Sequence, residues 1–151
     1  MRNILLIAQR KPASIMSKKS DSWLKLTQMV ANVEAQLGKI LQERHGLGLS
    51  DYRALQILAR SHNSELRMQD LAHNLHLNQS SVSRMVERLE RGGFTVRDLC
   101  PDDKRGVYTV LTEKGRTRLE ESQPDYEAAL TNALKDLGCE EMLSEIFVTQ
   151  T

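Results

Sequence analysis

The chain has 151 residues, enough for one domain with a sizeable core but hardly for two. Its two cysteines lie far apart in the sequence and exclude a disulfide framework, which fits a reducing cytoplasm. No segment approaches the roughly 20 consecutive apolar residues of a transmembrane helix, so we expect a cytoplasmic protein without a membrane partner.

The net charge of +1 does not decide for or against a nucleic-acid partner, but its distribution is uneven. Residues 78–118 hold 9 basic and 6 acidic side chains, whereas residues 119–151 hold 1 basic and 8 acidic side chains. Such a distribution would direct DNA to the first segment and away from the second. Solvated charge runs of opposite sign explain the same numbers equally well.

The beginning of the chain is predicted to contain a flexible basic extension, residues 1–19, and a long helix, residues 20–46, that Gly46 ends. Apolar residues recur in this helix at alternating steps of three and four: Trp23, Leu26, Val30, Val33, Leu37 and Ile40. This narrow stripe is typical of a helix that lies along a partner helix, which could come from a second subunit. Packing within one monomer is the alternative.

Two short helical patterns meet at a tight turn within residues 68–94. The inner face of the first contains Met68, Leu71, Ala72 and Leu75, and that of the second contains Val82, Met85, Val86 and Leu89. Between them, His76 and Leu77 form the turn and Asn78 is a good N-cap for the second helix. This arrangement predicts a helix-turn-helix.

The outer face of the second helix is then fixed by the helical period. It contains short polar residues followed by arginines: Gln79, Ser80, Ser81, Ser83, Arg84 and Arg88. Small polar side chains allow close approach to base edges in a major groove, while arginines reach guanine or phosphate. A solvated amphipathic helix is the alternative, and it is the commoner case for such a pattern in isolation.

The residues that follow favour the DNA-binding interpretation. Gly92 and Gly93 stop the helix, and residues 94–99 and 107–111 read as two strands around a polar tip. A short segment, residues 65–67, could pair with them as a third strand. Residues 50–112 are therefore predicted to form a winged helix-turn-helix unit within a mainly α-helical domain, residues 20–151.

The last part of the chain, residues 113–151, is predicted to be helical and to dimerise together with residues 20–46. Thr112 can cap a helix that begins at Glu113, and Pro124 is expected to kink or restart it. Gly138 ends it before a last short helix, residues 140–147. The predicted dimer residues are Trp23, Leu26, Val30, Val33, Leu130, Leu143, Ile146 and Phe147.

Three segments together resemble the MarR family of bacterial transcription regulators. They are Leu-Ser-x-x-x-x-Leu from Leu49, Leu-Ala-x-x-Leu-x-Leu-x-x-Ser-Ser-Val-Ser-Arg from Leu71, and an Asp-x-Arg tip at Asp103 followed by Leu-Thr-x-x-Gly from Leu111. The resemblance extends from about residue 23 to residue 147. It implies a homodimer, usually a repressor, that binds a pseudo-palindromic operator and often releases it on binding a small aromatic or phenolic effector.

Carried over by position, the resemblance implies that Gln79, Ser80, Ser81 and Arg84 lie near bases in the major groove. It also implies a wing with Asp103, Lys104 and Arg105, in which Arg105 enters the minor groove and Asp103 orients it. A narrow A·T-rich minor groove attracts an inserted arginine, so the implied role is physically reasonable. A surface ion pair that stiffens a hairpin tip is the alternative.

Other classes of function are less well supported. Cys100, near arginines, could be a redox sensor, and His62, His73 and His76 with Cys100 could be pictured as a zinc site, but their spacing matches no firm signature. The chain has no phosphate-binding glycine loop, nucleophile elbow or metal-ligand motif, so we expect no enzyme, catalytic residue, metal or cofactor. A winged helix that binds protein instead of DNA is the alternative from another class.

Overall fold

The computed structural model describes residues 17–99 and 106–138. The helices within them are α1 (Lys18–His45), α2 (Leu49–Arg60), α3 (Met68–Leu75), α4 (Gln79–Arg91) and α5 (Glu113–Asp136). The strands are β1 (Glu65–Arg67), β2 (Thr95–Leu99) and β3 (Val107–Leu111), with one 3-10 turn at His62–Ser64. The predicted mainly α-helical fold with a small β-wing is confirmed. None of the helices described is long and apolar enough to cross a membrane.

The three strands form one antiparallel sheet in the order β1-β3-β2. Arg67 of β1 lies opposite Tyr108 of β3, and Thr95 of β2 lies opposite Leu111. The predicted third strand is thus confirmed. Because β1 leads directly into α3, the sheet places β2 and β3, the strands of the wing, beside the helix-turn-helix.

The core is built around α2, whose Tyr52, Ala54, Leu55 and Leu58 are fully buried. Side chains from α1, α3, α4, β3 and α5 surround it: Leu41, Leu71, Ala72, Val82, Met85, Val86, Leu89, Leu111 and Leu119. Burying an aliphatic side chain of this size contributes roughly 1.5–3 kcal/mol. The inner faces predicted for α3 and α4 are therefore the faces that hold the two helices in the domain.

The stripe on α1 divides into two halves. In the C-terminal half, Leu37 is buried and Ile40 is half-buried, and α1 packs along α5 of the same chain. In the N-terminal half, Trp23 is 65% exposed and Val30 is 50% exposed. Only the C-terminal half of the stripe is thus covered within the described part of the chain.

The start of α1 differs from the prediction by two residues. The helix begins at Lys18 rather than residue 20, because the Ser17 hydroxyl accepts the Ser20 N–H at 3.2 Å and caps it. The helix ends as predicted, with Gly46 at φ 64°.

The last long helix does not restart at Pro124, since α5 runs without a break from Glu113 to Asp136. The carbonyl that loses its hydrogen-bond partner belongs to Glu120, an exposed residue that water can reach. Ser122 is not a cap. Its hydroxyl donates back to the Arg118 carbonyl at 2.7 Å.

Contacts from α1 and α2 hold α5 immediately after the proline. Asp125 accepts hydrogen bonds from His45 Nε2 and Arg44 Nη1, each at 2.7 Å. The His45 bond, assisted by the Arg44 charge, lowers the pKa of Asp125 below its usual value. On α2, the Tyr52 ring stacks on Tyr126 with centroids 4.5 Å apart, and burial raises the pKa of Tyr52 to about 12. Tertiary contacts therefore keep the helix continuous.

Candidate nucleic-acid interface

The turn between α3 and α4 is made by His76, which adopts a left-handed conformation with φ 52°. Its N–H and that of Leu77 bond to the last carbonyls of α3, at 3.1 Å and 3.0 Å. Among residues other than glycine, histidine is one of the few that adopt this conformation with increased frequency. Asn78 then caps α4 as predicted, accepting the Ser81 N–H at 2.8 Å and the Ser80 hydroxyl at 2.9 Å.

The residues predicted to contact bases lie together on the outer face of α4. Gln79, Ser80, Arg84 and Arg88 are exposed, and Ser81 and Ser83 are half-buried on its flanks. Arg84 makes no hydrogen bond or ion pair with any other described residue. Its guanidinium is therefore available to a partner outside the chain.

Arg88 has a different environment from Arg84, which the sequence did not reveal. Its Nη2 donates to Asp51 Oδ1 at 2.8 Å, while Asp51 Oδ2 accepts the Gly48 N–H at 3.3 Å. The Asp51 side chain is 11% exposed and that of Arg88 is 49% exposed. The pair joins α4 to the first turn of α2, so Arg88 holds α4 in place while half of its side chain still faces solvent.

One arginine that sequence reasoning missed, Arg67, lies where the sheet meets α3. Its Nε donates to the Tyr108 hydroxyl at 2.9 Å, and its guanidinium lies over the Tyr108 ring, 5.5 Å from the centroid. The pairing of β1 with β3 brings the two residues opposite each other. No sequence motif marks Arg67, because the contact depends on that strand register.

The wing is also fixed to α4 and α5. Arg97 of β2 donates to Glu90 of α4 at 2.7 Å. At the other end, the Thr112 hydroxyl accepts the Gly115 N–H at 3.0 Å and donates to the Gly93 carbonyl at 2.7 Å. Thr112 therefore joins the end of α4 to the start of α5. This joint makes the orientation of α4 depend on that of α5.

The remaining predicted residues fall into two groups. Trp23, Leu26 and Val30 are exposed, and Val33 and Leu130 are half-buried. The wing-tip residues Asp103, Lys104 and Arg105 and the C-terminal residues Leu143, Ile146 and Phe147 lie outside the described residues. Within residues 17–99 and 106–138, no cluster of His, Cys, Asp and Glu side chains could hold a metal ion.

Comparison with known proteins agrees with this architecture. Residues 47–107 match the model of the MarR family. The HTH-type transcriptional regulator YkoM of Bacillus subtilis is 30% identical over 66% of this chain and 63% of its own length. The homoprotocatechuate degradative operon repressor of Escherichia coli is 30% identical over 59% of this chain and 64% of its own length. The chain thus spans a little under two thirds of these two relatives.

Solved structures extend the likeness over most of the chain. Sco3205 of Streptomyces coelicolor, a MarR family transcriptional regulator crystallised with DNA, is 30% identical with a TM-score of 0.76. The match covers 89% of this chain and 87% of Sco3205. NadR, crystallised with 4-hydroxyphenylacetate, is 26% identical with a TM-score of 0.69, over 91% of this chain and 95% of NadR.

These likenesses place the chain in a class and then in a family. The order of its helices and strands is that of a winged helix-turn-helix protein. The chain belongs to the MarR family of transcriptional regulators.

Proposed function

We propose that two copies of the chain bind one pseudo-palindromic operator on double-stranded DNA and repress the adjacent gene. The single observation that carries the proposal is the outer face of α4, where small polar residues precede Arg84, an exposed arginine without a partner among the described residues. A helix inserted N-terminus first into a major groove uses small residues for close approach and arginine for guanine. The DNA complex of Sco3205 supports this use of the fold.

The dimer interface is proposed to include the exposed apolar stripe of α1. Trp23, Leu26 and Val30 are 65%, 43% and 50% exposed, and they continue the stripe whose other half packs on α5 of the same chain. Leu24, 44% exposed, widens this surface beyond the predicted stripe. A second copy would cover these side chains by an isologous contact, which also gives the two-fold symmetry that a pseudo-palindrome requires.

Repression is supported by the name of the related homoprotocatechuate degradative operon repressor of Escherichia coli. Repression needs only that the bound protein occupy DNA that the transcription machinery must reach. Since a bacterial operator lies in the cytoplasm, we propose that the protein acts there.

An effector is proposed to bind in the cleft between α2 and α5. The cleft has a volume of about 250 Å³ and is lined by Gln56, Ala59, Arg60, Arg116, Leu119, Glu120 and Gln123. Its two guanidinium groups outnumber the single carboxylate of Glu120, which favours a carboxylate ligand, and NadR was crystallised with the aromatic carboxylate 4-hydroxyphenylacetate. Arg116 also donates to Ser64 at 2.7 Å, just before β1. A ligand that engaged Arg116 would therefore disturb the start of β1, the strand that pairs with β3 of the wing.

A protein-binding winged helix is less well supported than a DNA-binding one. The exposed large apolar side chains of the described residues lie on α1 and at Val96 of β2, and none lies on α4. Protein interfaces have an apolar core, whereas the outer face of α4 is polar and cationic.

The proposal is tested by binding to the DNA immediately upstream of the protein's own gene, beside a scrambled duplex of equal length, at two salt concentrations. We expect tight, salt-dependent binding to the upstream duplex with two subunits per site, and weaker binding to the scrambled one. Equal and weak binding to this duplex, to the scrambled one and to tiled fragments of the flanking genes would contradict the proposal.

A further inference from the structure

A notch open to solvent separates the base of the wing from the start of α4. Arg67, Met68 and Gln69 form one side of it, Gly106 and Val107 of the wing form another, and Gln79 of α4 completes it. Its volume is about 200 Å³. Its lining includes one guanidinium and two amide side chains, so the notch suits a single polar group.

The charged side chain of the notch is held in position by the wing. Arg67 Nε donates to Tyr108, and the guanidinium lies over the Tyr108 ring. A Cβ added at Gly106 would lie 3.4 Å from Arg67 Nε, so the arginine side chain packs directly against the wing at this glycine. A guanidinium carries its N–H donors in a fixed plane and can bond more than one partner at a time.

We propose that this notch binds one phosphodiester group of the DNA backbone, with Arg67 as its cationic contact. The inference rests on the proposed function. If α4 enters the major groove and the wing reaches the adjacent minor groove, one sugar-phosphate strand must cross the space between them, and the notch is that space. Arginine binds phosphate through parallel, charge-assisted hydrogen bonds. Gln69 and Gln79 line the same space with amide donors.

The phosphate contact has a signature that differs from base recognition. A contact to phosphate adds affinity on every sequence and steepens the salt dependence, because binding releases a condensed counterion. A base contact changes the preference for one sequence over another. Arg67 should therefore contribute equally to specific and non-specific binding, unlike Arg84.

The experiment compares the full-length wild type with Arg67→Met on two duplexes across a salt series. One duplex is selected from a random pool by the wild type, and the other has a fixed scrambled sequence. In a plot of log affinity against log salt concentration, we expect the slope of Arg67→Met to be shallower than that of the wild type by about one per bound subunit, on both duplexes. For a dimer, a fourfold rise in salt should then cost the wild type about tenfold more affinity than it costs the variant. The ratio between the two duplexes should stay unchanged.

Three further variants separate the charge of Arg67 from its packing. Tyr108→Phe removes the hydrogen bond but leaves the arginine charged, so the wild-type slope should persist. Arg67→Lys should restore most of the slope, since an ammonium group also neutralises a phosphate. Lys39→Met removes an exposed charge of α1 and should change nothing. Circular dichroism checks that each variant is folded.

The outcomes distinguish this inference from the proposed function. A slope for Arg67→Met equal to that of Lys39→Met on both duplexes would overturn the phosphate contact. A loss confined to the selected duplex would also overturn it, because Arg67 would then read a base. If random selection enriched no sequence, the proposed function would fail, while the scrambled duplex would still report whether the notch binds phosphate.

Discussion

Two arginines on the same face of α4 differ in what holds them. Arg88 is paired with Asp51 at 2.8 Å, whereas Arg84, one helical turn earlier, makes no bond with the other described residues. A free guanidinium can bond a guanine edge with both arms, but a paired one must share its donors. We therefore expect Arg84 to determine sequence preference and Arg88 to maintain the seating of α4 on α2.

Substituting Arg84 with alanine is expected to cost on the order of 1–3 kcal/mol in binding to the preferred operator and to relax the preference at one base pair of each half-site. Fluorescence anisotropy with operator variants measures both effects. The thermal unfolding midpoint should not change, since Arg84 is exposed and unpaired. A matched loss of charge, Lys39→Ala on α1, is the control. Equal weakening on operator and scrambled DNA would show that Arg84 contacts phosphate instead.

At the residue scale, the sequence predicted which residues of α4 face outward but not their partners. A period of 3.6 residues defines the outer face because the inner one must be buried. The Asp51–Arg88 pair joins residues 37 positions apart, and the Arg67–Tyr108 pair joins residues 41 apart. Neither separation is a repeat of any local structure, so only the packed chain reveals these contacts.

At the scale of elements, local chemistry predicted several boundaries. Asn78 and Thr112 cap α4 and α5, and Gly46 ends α1 with a positive φ, as expected of these residue types. The restart expected at Pro124 does not occur. In the protein, Asp125 is bonded to Arg44 and His45 of α1 and Tyr126 stacks on Tyr52, so tertiary contacts outweigh one lost hydrogen bond.

Gly115 in the first turn of α5 is required by the joint between the wing and that helix. A Cβ there would lie 2.2 Å from the Phe94 carbonyl oxygen and 2.7 Å from Leu111 Cδ1. The same Phe94 carbonyl accepts the Thr112 N–H at 3.0 Å, so it cannot move without breaking that bond. This contact explains the glycine of the Leu-Thr-x-x-Gly segment.

Gly115→Ala is therefore expected to lower the free energy of unfolding by about 1–3 kcal/mol, measured by urea denaturation. Gly38→Ala is the matched control. The nearest atom to its new Cβ is 3.9 Å away, and alanine is favoured over glycine within a helix by roughly 0.5–1 kcal/mol. The two substitutions should thus have opposite signs. An unchanged midpoint for Gly115→Ala would contradict the role of this joint.

At the scale of the whole molecule, the proposal depends on the assembly of two chains. The sequence predicted one continuous stripe on α1, but among the described residues its C-terminal half is covered by the same chain and its N-terminal half is exposed. Periodicity alone cannot distinguish the two uses, because both require an apolar side chain at the same spacing.

Leu26→Glu is expected to prevent dimerisation, because it would bury a carboxylate in an apolar contact. Leu26 is 43% exposed in the single chain, so the fold should survive. Gln28→Glu places the same charge at an exposed position of the same helix outside the stripe and should leave the dimer intact. Light scattering coupled to size exclusion measures the mass. A Leu26→Glu protein that stayed dimeric would show that the stripe is not the interface.

The central claim is that two copies of this chain read an inverted repeat, and selection from a pool of random duplexes by the full-length wild type tests it most directly. We expect enrichment of an inverted repeat whose half-sites are centred about one helical turn, ~34 Å, apart, since each α4 would enter one of two successive major grooves. Enrichment of a single unpaired half-site, or of no sequence at all, would contradict the claim.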